Sequence, residues 1–315
     1  MKLSLDIIIV NWNAGEQLAS CLTSIVDADH MSFKLDRVVI VDNASTDESL
    51  ARIGYLDLPL QIIRNKHNKG FAAACNQGAQ HSNADYLLFL NPDTKLFHNS
   101  LSESIAFMEN LQNQHIGICG IKLLDDDGAI AISAARFPTL RILAGNITGL
   151  SKLLPGLFPA HLMLPHEINR SGDVDQVIGA FFLIRKKLFE ELNGFDEQFF
   201  VYYEEVDFSL RAKNLGYTSY YLSDVNAYHK GGGSSEQIRA TRLFYSLRSR
   251  VQYAHKHYSR CEFVILVLLT FTVEIASRIL RSLYYASWTQ ILEVLRGYKQ
   301  LVAYFINTGW RNEHC

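Results

Sequence analysis

This 315-residue sequence has few of the features that mark small secreted or metal-stapled proteins. Its five cysteines are odd in number and widely spaced, and no Cys-x-x-Cys pair occurs. That pattern argues against a disulfide framework and a zinc site, and it favours reduced thiols in a cytosolic setting. The N-terminal residues lack the length and cleavage pattern of a signal peptide. There is no low-complexity tract, and a hydrophobic content of 48% is sufficient for a large core.

The sequence also lacks a long, uninterrupted apolar run. The mainly apolar stretch 263–273 has eleven residues, whereas a spanning helix needs ~20. We therefore expect no transmembrane segment. We favour an amphipathic helix in the headgroup region, supported by Tyr284, Tyr285, Trp288 and the flanking arginines. The alternative is a helical pair that packs on the rest of the chain or on a second subunit.

The net charge of −2 conceals an uneven distribution. Residues 239–315 hold eleven Lys and Arg against four Asp and Glu, a net of +7, whereas residues 1–238 carry a net of −9. A basic tail on an acidic body predicts an anionic surface as the partner of the tail. Nucleic acid is not expected as a partner, because the body is acidic and its aromatic residues are not interleaved with basic ones.

Apolar runs of strand length alternate with helical patterns up to residue 222. This alternation predicts an α/β fold with a mostly parallel sheet covered by helices on both faces. The predicted strands are 5–10, 37–41, 60–64, 86–90, 177–184 and 218–222. The predicted helices are 17–26, one that opens at 45–48 with a capping-box pattern, 70–81, 186–192 and 204–215. We expect residues 125–172 to form a long insertion near the opening of the ligand-binding site. The pattern from residue 235 onward is helical. The predicted domains are therefore 1–238 and 239–315.

Polar residues stand where the predicted strands end. Ligands gather outside the carboxyl ends of parallel strands, and Asn11, Asp42 and Asp93 all lie there. Asp42 could accept hydrogen bonds from a pyrimidine or a ribose, or it could be an ordinary turn residue. Asn91 and Asp93 have the spacing of a carboxylate pair in which an amide replaces one acid. One carboxylate together with a diphosphate could hold Mg²⁺ or Mn²⁺, although Asn-Pro-Asp is also a common turn.

Two further stretches carry candidate chemistry. Residues 193–207 place five acids among aromatic residues. Aromatic walls that exclude water let a carboxylate keep a raised proton affinity and act as a base, and a polar helix start packed on a core is the alternative. His229 could complete a metal shell or hold phosphate as an imidazolium. The glycines at 231–233 could cradle a phosphate, or they could form a hinge.

Together these motifs resemble those of the inverting glycosyltransferases of family 2, and within that family those of the bacterial rhamnosyltransferase group. The resemblance covers about residues 5–236, and residues 240–315 lie outside it or match only loosely. The segments that carry it are 9–13, 41–47, 68–72, 90–94, 179–182, 194–211 and 229–235.

The resemblance implies a GT-A fold, which is a Rossmann-like α/β sheet, followed here by a C-terminal helical extension. It implies that Glu205, the second member of the family's acidic pair, is the catalytic base. A Glu in place of the usual Asp changes the reach of that carboxylate by one methylene. Asp93 and His229 would hold Mg²⁺ or Mn²⁺. The other residues expected at the nucleotide sugar are Asn11, Asp42, Asn68, Gly70, Phe71, Asn91, Glu204, Gly232 and Ser234.

The implied reaction is sugar transfer with inversion in the synthesis of a cell-surface polysaccharide. The favoured donor is dTDP-L-rhamnose, and the acceptor is a hydroxyl of a glycan or of a polyprenyl-diphosphate-linked saccharide. A UDP-hexose or UDP-galactofuranose donor is the first alternative. A non-catalytic scaffold at the membrane surface is the second, and the joint presence of Asp42, Asp93, Glu205 and His229 speaks against it. We expect a cytoplasmic enzyme at the inner face of the cytoplasmic membrane, and homo-oligomerisation is left open.

Overall fold

The computed structural model of the chain describes residues 2–231 and 239–308, and it divides into two compact units. The first unit comprises residues 1–137, 162–200 and 204–234, and the second comprises residues 138–161, 201–203 and 235–315. The last segment of the second unit begins at residue 235, and the predicted domain boundary was at residue 238. The sequence did not predict that residues 138–161 and 201–203 belong with the C-terminal helices.

A nine-stranded sheet forms the centre of the first unit. Its strands are β1 Ser4–Asn11, β2 Lys34–Asp42, β3 Leu60–Arg64, β4 Tyr86–Leu90, β5 Thr94–Leu96, β6 Ile116–Leu124, β8 Gly172–Val174, β10 Phe181–Arg185 and β11 Thr218–His229. They lie in the order β3-β2-β1-β4-β10-β6-β11-β5, with β8 paired to β11. Strands β3, β2, β1 and β4 run parallel, as do β6 and β11, whereas β10 lies antiparallel between β4 and β6. Strands β7 Ala134–Ala135 and β9 Gln176–Val177 form a separate antiparallel pair.

Helices cover both faces of the sheet, as the sequence predicted. Alternate residues of β1 enter different hydrophobic clusters, because successive strand residues point to opposite faces. Ile7 and Ile9 pack with Leu18 and Leu22 of α1, and Ile8 packs with Cys75 of α2. The helices of the first unit are α1 Gln17–Val26, α2 Phe71–Ala79, α3 Ser100–Glu109, α6 Lys186–Glu191 and α7 Glu204–Asn214.

The predicted helix at residues 45–48 is wrong, because no helix lies between β2 and β3. The side chains that suggested a helix cap bind neighbouring loops instead. Ser45 Oγ accepts hydrogen bonds from Asn11 Nδ2 and from the Asn13 amide, both at 3.0 Å. Asp47 Oδ2 accepts from the Gly15 amide at 2.8 Å. Side chains that can cap a helix can equally hold an irregular loop, and here they tie the loop after β2 to the loop after β1.

The predicted strand 177–184 is also wrong as a single element. It divides into β9 and β10, which belong to different sheets. Strand β11 in turn extends beyond its predicted end at residue 222. Its register with β6 shifts between Leu222 and Asn226, and the pairing with β6 then continues to Tyr228. The other edge of this last stretch pairs with β5, where His229 lies opposite Thr94.

The second unit is mainly helical in its described residues. Its helices are α4 Leu140–Thr148, α5 Leu150–Leu153, α8 Arg239–His257, α9 Arg260–Leu269, α10 Ile275–Tyr284 and α11 Trp288–Thr308. A π-helical segment, Thr270–Glu274, joins α9 to α10, so Arg260–Tyr284 is one continuous helix of 25 residues. The expectation that the apolar run is too short to cross a membrane is therefore wrong on length. By length and composition alone this helix could span one.

Candidate active site

The ends of β1 and β2 meet in a buried hydrogen-bond network. Asn11 is fully buried, and its Nδ2 donates to Asp42 Oδ1 at 2.8 Å and to Ser49 Oγ at 2.8 Å. Asp42 itself is 6% exposed. Both residues were predicted at the donor site. The structure joins the two side chains by a hydrogen bond, which fixes the orientation of the Asp42 carboxylate at the carboxyl edge of the sheet.

Asn43 fixes the loop that leads into α2. Its Nδ2 donates to Asn68 Oδ1 at 2.9 Å and to the Gly70 carbonyl at 3.0 Å. Its Oδ1 accepts from Asn65 Nδ2 at 3.0 Å and from the Lys69 amide at 3.1 Å. One side chain therefore holds the 65–70 loop against the end of β2. In this way the structure brings the predicted residues Asn68 and Gly70 next to the Asp42 network.

The same loop contacts the segment that precedes the acidic pair. The Phe71 amide donates to the Phe200 carbonyl at 2.5 Å. Gly70 has φ +91°, and a Cβ added there would lie 2.5 Å from the Phe200 oxygen. Both the backbone conformation and this close approach require glycine. Gly70 and Phe71 therefore connect the predicted nucleotide loop to the chain that leads to Glu204.

Asp93 and His229 meet at the other end of this edge. Strand β5 begins directly after Asp93 and pairs with the end of β11, which brings His229 Nε2 to 3.3 Å from Asp93 Oδ1. The Lys230 amide also donates to the Asp93 carbonyl at 3.2 Å. Both side chains are largely buried, with 11% and 14% exposure. The sequence placed the two residues in separate motifs, and the structure brings them together.

This pair fits a divalent cation only in part. A carboxylate oxygen and an imidazole nitrogen are suitable ligands, but the described residues contain no group of three or more metal-ligating side chains. The backbone of Asn91 shapes the turn, since its amide donates to the Ala180 carbonyl and its carbonyl accepts from the Thr94 amide, both at 3.1 Å. Any metal held here would need further ligands, such as the oxygens of a bound diphosphate.

Glu204 and Glu205 open α7 with two carboxylates in a dry environment. Glu204 is 5% exposed, and Oε2 of each residue is buried without a hydrogen-bond partner among the described residues. Burial and the neighbouring Glu205 charge hold the pKa of Glu204 well above its usual range. Burial raises the pKa of Glu205 to about 6, although the Glu205 and Val206 amides oppose that rise. A carboxylate of this kind is poised as a base near neutral pH.

Hydrogen bonds of two polar side chains, Arg211 and Asn76, hold α7 and the turn at residues 192–195 in place. Arg211 Nε donates to the fully buried Asp207 at 2.7 Å, and its other nitrogens donate to the Leu192 and Gly194 carbonyls at 2.8 and 3.0 Å. Asn76 on α2 holds the next residue of that turn. Its Nδ2 donates to the Phe195 carbonyl at 2.8 Å, and its Oδ1 accepts from the Phe195 amide at 2.9 Å. The helix that carries the acidic pair is thus connected to α2.

Sequence reasoning gave no role to Asn43 or Asn76. A signal for Asn76 was present, because it is a polar residue that directly follows the apolar, Ala-rich segment 71–75. Asn43 lies in the 41–47 segment that carries the family resemblance, but that resemblance gave it no function. The predicted phosphate-binding residues Gly232 and Ser234 lie outside the described residues.

The fold is that of GT-A glycosyltransferases, as solved structures show. A mannosyltransferase from Pyrobaculum calidifontis, solved with GDP-Man and Mn²⁺, superposes with a TM-score of 0.52 at 15% identity over 95% of this chain and 86% of its own. S. aureus TarS 1–349, solved with UDP, gives 0.51 at 17% identity over 98% and 93%. At such identities the likeness concerns the fold alone.

The profile of Glycosyl transferase family 2 matches residues 6–192. This is more than half of the chain, and the chain therefore belongs to that family. Similar proteins include the rhamnosyltransferase WbbL of Escherichia coli K12, at 28% identity over 59% of this chain and 68% of that protein. Another is the N-acetylglucosaminyl-diphospho-decaprenol L-rhamnosyltransferase of Mycobacterium tuberculosis H37Rv, at 24% identity over 76% and 80%. The chain is a glycosyltransferase that resembles rhamnosyltransferases.

Proposed function

We propose that this enzyme transfers L-rhamnose from dTDP-L-rhamnose to a hydroxyl of a glycan or a lipid-linked saccharide, with inversion at the anomeric carbon, in the synthesis of a cell-surface polysaccharide. The observation that carries the transferase chemistry is the adjacent pair of the buried Glu204 and the partly buried Glu205, in which burial of the carboxyl raises the pKa of Glu205 to about 6. The donor is supported by the rhamnosyltransferases among the similar proteins. A polyprenyl-diphosphate-linked acceptor is supported by the decaprenol-linked substrate in the name of one of them.

Glu205 acts as the base in this reaction. It takes the proton from the acceptor hydroxyl as that oxygen forms its bond to the anomeric carbon. The bond from this carbon to the diphosphate breaks at the same time, and the diphosphate leaves with the electron pair. One displacement from the opposite face converts a β-linked donor into an α-rhamnoside. Burial and the neighbouring Glu205 charge raise the pKa of Glu204, which disfavours a second negative charge beside the base.

The remaining residues position the donor. Asp42, oriented by Asn11, accepts hydrogen bonds from the base or ribose of the nucleotide, and the 65–71 loop lines its pocket. Asp93 and His229 hold Mg²⁺ or Mn²⁺, a role supported by their 3.3 Å contact and by the Mn²⁺ of similarly folded glycosyltransferases. A divalent cation bound there supplies charge neutralisation for the leaving diphosphate.

A donor panel tests the proposal. The purified chain is incubated with Mg²⁺ or Mn²⁺, isolated lipid-linked precursors and one donor at a time: dTDP-L-rhamnose, UDP-glucose, UDP-galactofuranose or GDP-mannose. Mass spectrometry should detect a deoxyhexose added only from dTDP-L-rhamnose, and NMR should find the α linkage. Transfer only from a UDP or GDP sugar would reject the donor assignment. A β-rhamnoside would reject the single displacement.

A further inference from the structure

The helix Arg260–Tyr284 in the second unit buries polar side chains and exposes large apolar ones. Residues 266, 270, 274 and 282 are buried, and three of these four are polar: Thr270, Glu274 and Ser282 are each at most 4% exposed. The outward face is apolar instead. Its large exposed side chains are Val264, Ile265, Leu268, Val273, Leu280, Leu283 and Tyr284. A helix on a water-facing surface normally shows the opposite arrangement.

The buried polar face is satisfied within the second unit. Glu274 accepts hydrogen bonds from Arg250 of α8 and, at 3.1 and 2.9 Å, from Nε and Nη2 of Arg278. Arg250 also donates to Thr270 Oγ1 at 3.0 Å. Buried charges persist in a fold when they are paired in this way. Thr270 and Glu274 are therefore engaged within the second unit. The exposed side chains of residues 264–284 are mostly apolar, and Thr272, Ser277 and Arg281 are the polar ones among them.

A second apolar stripe lies on α11. Trp288, Leu292, Leu295, Val302 and Ile306 are each at least 43% exposed, and they follow one another at spacings of three, four or seven residues. The opposite side of α11 is already occupied, because Val294, Tyr298 and Leu301 pack with Leu247 of α8. Both stripes meet the turn between α10 and α11, where Tyr284, Tyr285 and Trp288 are 82%, 63% and 73% exposed. Exposed apolar patches of this extent mark interaction surfaces.

We propose that these two stripes form a membrane-docking surface that lies in the plane of an anionic lipid bilayer. Charge favours lipid over a second copy of the chain, since residues 239–315 carry a net of +7 and would repel their own kind. The exposed Tyr and Trp residues at the helix turn are the types enriched at lipid headgroups. The apolar side chains enter the acyl boundary while basic residues contact lipid phosphates.

The helix Arg260–Tyr284 is long enough to cross a bilayer, but the charged residues packed against it favour an orientation along the bilayer plane. Helix α8 packs beside α9 and against α11, and six Lys and Arg occur from Arg239 to Arg260 without an acid. If the helix Arg260–Tyr284 crossed the bilayer, α8 and the Arg250–Glu274–Arg278 group would enter the hydrocarbon with it. Charged side chains are strongly unfavourable there, whereas an in-plane arrangement leaves them at the headgroups.

Vesicle flotation of the full chain tests this surface without donor or acceptor, so its outcome is independent of the proposed transfer. Binding to phosphatidylcholine vesicles with 30% phosphatidylglycerol should exceed binding to pure phosphatidylcholine and should weaken with salt. The double substitution Leu280→Gln, Leu283→Gln should reduce partitioning of the protein into anionic vesicles at least ~10-fold, because each change replaces a leucine that would be buried in the lipid. Arg281→Gln should reduce it about five-fold. Leu111→Gln is the matched control, because Leu111 is 87% exposed in the first unit.

Three results would overturn the proposal. The first is full-length protein that ignores anionic vesicles at low salt. The second is a dimer in sedimentation velocity that Leu280→Gln converts to monomer without any change in lipid binding, because the stripe would then contact a second copy. The third is membrane-bound protein that carbonate and high salt leave in place and only detergent extracts, because the helix would then span the bilayer. Brominated lipids quench tryptophan fluorescence, so they measure how deeply Trp288 enters the bilayer in the folded protein. The measurement uses a Trp12→Phe, Trp310→Phe background in which Trp288 is the remaining tryptophan.

Discussion

Glu205→Gln should strongly reduce catalysis and stabilise the fold at the same time. In the folded protein the pKa of Glu205 is raised from 4.5 to about 6, so the folded state binds the proton more tightly than the unfolded state does. The cost of ionising this buried group is therefore absent below about pH 4 and grows as the pH rises through 6. A shift from 4.5 to about 6 corresponds to about 2 kcal/mol at full ionisation.

Urea denaturation at pH 5 and pH 8 measures this cost. Glu205→Gln should gain up to about 2 kcal/mol of unfolding free energy at pH 8 and much less at pH 5. Turnover by Glu205→Gln should fall roughly 10²- to 10⁴-fold, because the amide cannot accept the proton. The wild-type kcat/KM should rise with pH up to about 6 and then level off.

Glu191→Gln is the matched control, since Glu191 is an exposed glutamate on α6. It should change neither stability nor turnover. The reasoning is refuted if Glu205→Gln keeps turnover within ten-fold of wild type, or if its effect on stability is the same at both pH values. A dead Glu204→Gln beside an active Glu205→Gln would assign the base to the first member of the pair.

Three further outcomes follow from the site. Gly70→Ala should destabilise the fold by ~1–3 kcal/mol and raise the donor KM; chemical denaturation measures the first effect and donor titration the second. Gly54→Ala is the control and should change neither quantity, because there is open space around Gly54. Chelator should abolish transfer, and Asp93→Asn should raise the metal concentration for half-maximal activity about ten-fold or more, so full activity in chelator would remove the metal from the mechanism. Asn76→Ala should lower kcat more than it raises the donor KM, because it frees the Phe195 turn; unchanged kcat in a folded variant would contradict this.

The centre of the parallel half of the sheet could be predicted because its strands β1 and β4 are buried on both faces. Strands β1 and β4 are nearly continuous in apolar residues, which is the pattern of a covered parallel strand. The acidic pair was recognisable from carboxylates among aromatic residues. Its raised pKa values depend on burial, and burial depends on how α7 packs in the finished fold.

The errors arose where a local pattern has two solutions. Ser45 and Asp47 suit a helix cap, and only the arrival of Asn11 and Gly15 from the β1 end selects the loop. Alternating or continuous apolar residues at 177–184 do not reveal a change of sheet. The inward placement of Thr270 and Glu274 needs Arg250 from α8, which no periodicity within the helix can show.

The register shift in β11 also limits how the length of this chain can vary. Leu222 lies opposite Ile121 and Asn226 lies opposite Lys122, so residues 223–225 are extra on the β11 side. Successive strand residues point to opposite faces, and deletion of one of these three would turn the His229 side chain away from Asp93. The tight turn at Asp125–Gly128 is exposed and has no such constraint. We therefore expect related sequences to tolerate insertions and deletions at that turn and to keep a constant spacing between the end of β6 pairing and the histidine.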